Sequence, residues 1–137
     1  MPIQKTLLER IRNPAPPGQR HMYVSSTEVY QSVMRNLQNL LNTVQGNCLI
    51  DERYGLPHLT EVRGTMPHSV NRYEASIRHT IERHEPRLSA VRVRHAPDDR
   101  GGVMLRFEIS GLIQDEDGKH TVRFETYADD QGRLKIR

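Results

Sequence analysis

The sequence predicts an α+β domain: two main helices packed on an antiparallel β-sheet meander, with a short N-terminal helical arm. Three observations predict it. Apolar residues recur at helical spacing over two long stretches in the first two-thirds of the chain, and from about residue 88 the apolar period changes to two. The alternating part is cut by three turn-forming segments, "PDDRGG", "DEDGK" and "DDQGR", which divide it into four strands.

The arm comes first. In "MPIQKTLLERIR", Leu7, Leu8 and Ile11 fall at helical spacing, and "NPAPPGQR", with three prolines and a glycine, follows as a linker. Residues 1–20 are expected to be arm and Pro-rich linker, and residues 21–137 a single α+β domain. The arm packs on that domain, serves another chain, or is simply a frayed terminus. Ser25 and Glu28 have capping-box spacing, and Val29, Val33, Leu37, Leu40, Leu41 and Val44 then mark one helical face, predicting a helix over 26–44 with Gly46 as its left-handed cap. Residues between Gly46 and Pro67 read as a packed or functional irregular segment, with Leu49, Ile50, Tyr54, Leu56, Leu59 and Val62 as core candidates. A second helix is predicted over 69–84, with Val70, Tyr73, Ile77 and Ile81 inward and Arg72, Arg78 and Arg83 off that face.

Pro86 ends the second helix, because a residue preceding proline is pushed out of helical geometry. Val91 and Val93 then alternate with Arg92 and Arg94, and Val103, Leu105, Phe107 and Ile109 with Met104, Arg106, Glu108 and Ser110. Val122 and Phe124 alternate with Arg123 and Glu125, and Leu134 and Ile136 form a short last strand. One face of the sheet is thus apolar. The other is Arg-rich, with Glu108 and Glu125 available for cross-strand pairing.

Composition narrows the function classes. Hydrophobic residues are 35% and charged ones 27%, a polar balance that implies much solvated surface or much polar interface. Net charge is +3, and 17 of the 20 basic residues are Arg, which favours bidentate contacts with acidic partners. Acids such as Asp98, Asp115 and Asp129 interrupt any basic run, so no nucleic acid is expected as a partner. The lone Cys48 and the lack of any long apolar run predict a reducing, cytoplasmic setting without membrane insertion.

Catalytic chemistry finds little support. The seven histidines show no metal-ligand spacing, no glycine-rich phosphate loop precedes a helix, and no Ser lies in G-x-S-x-G, so neither a metal nor another cofactor is expected. A glycoside hydrolase needs two carboxyl groups, one of them held protonated. Glu85 is the best single candidate, but Arg87 beside it suits a charged pair better than a proton donor, and the chain has no Trp for sugar stacking.

The segments "LLERI", "SVMRNLQNLLNTVQG", "YGLPHL" and "IERHEPRLSAVRV" resemble, in matching order over nearly the whole chain, the type VI secretion baseplate wedge family TssE. That family is similar to the wedge subunits of phage tails and has long been labelled lysozyme-like. Its most specific element here is the triplet Glu85, Pro86, Arg87; His58 stands where the family commonly carries an acid. The resemblance implies a structural subunit without catalysis, assembled at the inner face of the bacterial envelope. It would join other baseplate proteins (TssF, TssG, TssK) and offer a docking platform for the contractile sheath (TssB, TssC). A lysozyme-like hydrolase and an anti-adaptor-like regulatory module of similar fold stay open as alternatives.

Two sets of partner-binding residues are expected on this basis. Glu85 and Arg87 straddle a proline that fixes the backbone, so their side chains are held in a set orientation at the helix-strand corner. Arg92 and Arg94 on the first strand, and Leu134 and Ile136 on the last, mark the two open edges of the meander, one of which would accept an extended sheath segment.

Overall fold

A computed structural model of the chain describes residues 6–12, 26–59, 67–97, 105–115, 118–129 and 131–137. Helix α1 spans Leu7–Arg12, α2 Ser26–Leu41 and α3 His68–His84. Strands β1 (Leu88–Ala96), β2 (Arg106–Asp115), β3 (Gly118–Ala128) and β4 (Leu134–Ile136) form an antiparallel meander in sequence order. Helix α3 lies along β1 and α2 along β4, both on the same apolar face. The α+β arrangement predicted from the periodicity is the one observed.

Each helix buries the face its spacing marks. Val29, Val33, Leu37, Leu40 and Leu41 of α2 meet Val70, Tyr73, Ile77 and Ile81 of α3 over Phe107, Ile109 and Phe124 of the sheet. Tyr30 stacks on Phe124 at 4.9 Å between ring centroids, and Tyr73 lies 5.5 Å from Phe107. Helix α2 stops at Leu41, earlier than the predicted end at 44. Val44 leaves the helix to form a parallel bridge with Leu56. Gly46 does take the left-handed conformation, φ +93, as a cap would, but it turns a loop rather than the helix.

That loop returns on itself. Gln45 N donates to Leu56 O at 2.9 Å, Leu56 N to Thr43 O at 2.9 Å, and Gly46 N to Glu52 O at 3.2 Å. Leu56 and Leu59 enter the core and Tyr54 packs against it. Leu49 and Ile50, core candidates by sequence, are instead 100% and 98% exposed at the loop tip. The short backbone closure below them carries the tip away from the core. Val62, Ser25, the linker and strand residues 103 and 104 lie outside the described residues.

Strand β1 departs from simple alternation. Its register on β2 shifts between Ser89 and Arg92, and Ala90 sits at φ +50, the mark of a bulge. The extra residue lets Leu88 and Val91, three apart, both face the core. On the outer face, Arg92, Ser110 and Arg123 form one cross-strand row and Arg94, Glu108 and Glu125 another. Glu108 thus faces Glu125 directly, a repulsive arrangement relieved by Arg94 on one side and by Arg106, 3.4 Å from the Glu125 carboxylate.

Candidate functional site

The corner between α3 and β1 is built around one carboxylate. Glu85 N still donates to Ile81 O at 2.8 Å, the last helical bond, but Glu85 itself has left helical geometry at φ −125, ψ 82 because Pro86 follows. This turn directs its side chain under α2. Arg87 clasps it with two parallel bonds, Nε to Oε1 at 2.8 Å and Nη2 to Oε2 at 2.9 Å, and adds its own backbone N–H at 3.2 Å. Asn36 Nδ2 of α2 donates to Oε2 at 2.6 Å. Glu85 is 1% exposed, so the pair is a buried, fully hydrogen-bonded ion pair rather than a surface bridge.

The network continues to the arm. Arg87 Nη1 donates to Ser32 Oγ at 2.7 Å, and Ser32 Oγ donates to Glu9 Oε2 of α1 at 2.5 Å. Arg35 holds the other Glu9 oxygen through Nε at 3.2 Å and Nη2 at 3.0 Å. Burial alone would raise the Glu9 pKa, but hydrogen bonds from Ser32, the Thr6 backbone and Arg35 outweigh it and hold the carboxyl at about 2. The arm is therefore pinned by its polar side. Leu7, Leu8 and Ile11 stay exposed.

The sheet's two edges differ. Leu134 and Ile136 pair with Ala128 and Thr126 of β3, and the ladder bonds run through the intervening positions, Glu125 with Arg137 and Asp129 with Arg133. The backbone groups of Leu134 and Ile136 consequently face away from the sheet. Side-chain amides of α2 close them. Gln38 and Asn42 donate to Leu134 O at 2.6 and 2.7 Å, Leu134 N donates to Asn42 Oδ1 at 2.8 Å, and Ile136 N to Gln38 Oε1 at 2.9 Å. At the other edge, Leu105 O accepts from Ala128 N, which turns the odd-numbered residues of β2 toward β3 and the even-numbered ones toward β1. The β1 partners of those even-numbered residues are Arg92, Arg94 and Ala96, so Val93 and His95 carry their backbone groups outward. His95 N bonds to the Glu74 carboxylate of α3.

Of the sequence-predicted residues, then, Glu85 and Arg87 meet at the corner while Pro86 is exposed beside them. Arg92 and Arg94 lie apart from that corner, exposed on the outer sheet face. The Leu134 side chain is core and Ile136 packs against it. Sequence reasoning missed Glu9, Ser32, Arg35, Asn36, Gln38 and Asn42. A signal existed for two of them: Ser32 and Asn36 fall at i+3 and i+7 from Val29, positions where an apolar helix face would carry aliphatic residues.

The fold has solved counterparts. A chain of the baseplate complex from the type VI secretion system superposes with a TM-score of 0.61 at 22% identity, over 75% of this chain and 96% of that one. A putative tail lysozyme from Geobacter sulfurreducens superposes with a TM-score of 0.54 at 15% identity, over 80% and 97%. No curated protein sequence matches the chain. The family model described as baseplate wedge protein gp25 matches residues 27–118, from the start of α2 through the corner into β3. The chain belongs to the gp25 family of baseplate wedge proteins.

Proposed function

We propose that the chain is a non-catalytic wedge subunit of a type VI secretion baseplate, cytoplasmic and assembled at the inner face of the bacterial envelope. It links the other wedge proteins (TssF, TssG, TssK) and serves as docking platform for the first sheath subunits (TssB, TssC). The observation that carries the docking role is the asymmetry of the sheet. Gln38 and Asn42 close β4, whereas β1 keeps outward backbone groups at Val93, so an added strand belongs on β1. Membership of the wedge family, together with the likeness in fold to a chain of a type VI secretion baseplate complex, supports the baseplate setting.

The lysozyme name of the second counterpart finds no footing at the corner. A general acid must reach a glycosidic oxygen, and Glu85 is buried with both oxygens committed to Arg87 and Asn36. Affinity purification of the tagged chain with mass spectrometry tests the assembly reading. Recovery of baseplate proteins is expected, and recovery of one response regulator alone would favour the regulatory alternative. Imaging of fluorescent sheath tests the edge: Val93→Pro removes an outward N–H without touching the β1–β2 ladder, and should leave baseplate foci but stop sheath growth. Normal sheath in a folded Val93→Pro variant defeats the docking role.

A further inference from the structure

The loop that leaves Leu49 and Ile50 exposed also builds one wall of a cavity of about 270 Å³ against α3. Arg53 and Gly55 of the loop face His79, Thr80, Arg83 and His84 of α3 across it. Among the described residues no acid lines this space, and no aromatic ring other than the two imidazoles. Neither the Arg53 nor the Arg83 guanidinium forms an ion pair with a described residue. His84 Nε2 is buried with no hydrogen-bond partner. Asp51 lies 3.9 Å from it, beyond hydrogen-bond reach, and its Oδ1 already accepts from Arg53 N at 2.9 Å. Buried polar nitrogens in native proteins almost always have a partner, and the nearest carboxylate oxygen, Asp51 Oδ2, stops short of this one.

We propose that this cavity is a carboxylate socket for a partner protein: an Asp or Glu side chain enters between Arg53 and Arg83 and accepts from His84, while apolar residues flanking it cover Leu49 and Ile50. At about 30 Å³ per water the volume is that of roughly nine waters, room for one acidic side chain. A planar carboxylate matches the guanidinium fork, and the lining gives a nucleobase nothing broad to stack on. Two large aliphatic side chains stand exposed on the same closed loop that supplies Arg53 and Gly55 to the cationic pocket. Its polar and apolar halves fit an acidic residue set among aliphatic ones.

The proposal rests on the assembly-subunit reading for the partner being a protein, yet its test is independent of sheath growth and of co-purification. The full chain, labelled with ¹⁵N, is titrated with the capped peptide acetyl-Ile-Asp-Glu-Leu-Leu-amide, with its Asn/Gln analogue, and separately with inorganic phosphate. The acidic peptide should give saturable shifts at Arg53, Gly55, His79 and His84, with at least tenfold weaker binding of the neutral analogue. Arg53→Gln with Arg83→Gln should weaken it at least tenfold at an unchanged melting temperature. Leu49→Ser with Ile50→Ser should weaken it several-fold and leave phosphate unaffected. Equal binding of the two peptides, undiminished binding by the Arg variants, or phosphate binding more tightly than the acidic peptide would each overturn the proposal.

Discussion

Asn36 and Glu85 are joined by a 2.6 Å hydrogen bond that ties α2 to the corner where α3 turns into β1. Because Glu85 is buried, that bond and the Arg87 clasp are needed to keep its charge solvated by protein.

Removing one member of the pair should therefore damage the fold as well as any assembly role. Arg87→Ala and Glu85→Ala are each expected to lower stability by about 3–5 kcal/mol, and Asn36→Ala by about 1–3 kcal/mol. Urea denaturation of the purified variants measures this. The double substitution should cost less than the sum of the singles, since neither charge is then left unpaired. A loss below about 1 kcal/mol for Arg87→Ala would mean the pair behaves like an exposed bridge.

Gly55→Ala is expected to be strongly destabilising. An added Cβ would sit 2.2 Å from Thr43 O, a backbone atom that cannot move without opening the loop, and Gly55 is at φ +104. The conformation alone costs about 1–3 kcal/mol for a residue with a side chain. A thermal melt reads the effect. Gly46→Ala, at φ +93 but with nothing within 4 Å of its Cβ, should lose less.

Docking of the arm should depend on acid. The Glu9 pKa is depressed from 4.5 to about 2, so the stabilisation it gives is fully present above about pH 4.5 and is lost as pH falls through about 2. Amide exchange of residues 7–12 at pH 6, 4 and 2 tests this. Protection should survive at pH 4 and vanish near pH 2, while Glu9→Gln abolishes it throughout. Protection in Glu9→Gln equal to wild type would show that the carboxylate does not hold the arm.

Gln38→Ala with Asn42→Ala should uncover the closed edge. Leu134 N and Ile136 N lose their acceptors and Leu134 O both its donors, with a cost of about 1–3 kcal/mol for each group left buried and unpaired. Hydrogen exchange at Leu134 and Ile136 should accelerate, and light scattering should report association that wild type does not show.

Periodicity makes most of the fold legible. The faces of α2 and α3 and the strand alternation depend on local spacing, which a sequence displays. Leu49 and Ile50 defeat that reading because hydrophobicity marks a residue as worth burying and says nothing about a loop whose backbone bonds hold it outward. Leu88 becomes core only through the bulge at Ala90, and a residue with φ above zero at an alanine leaves no sequence signature. The corner shows itself through Pro86. Its extension through Ser32 to Glu9 spans 23 residues in one step and 55 in another, contacts that chain order conceals.

The bond from His95 N to Glu74 bears on how fast a strand could join β1. A donor left bare at a sheet edge is hydrated, and each water has to depart before a ladder closes. Here the donor is already held by a carboxylate, which an incoming carbonyl has to displace. A charge-assisted bond is then exchanged for a neutral one, so this rung is capped much as Gln38 and Asn42 cap β4. On the proposed docking, only an arriving segment long enough to add further rungs beyond His95 would be retained.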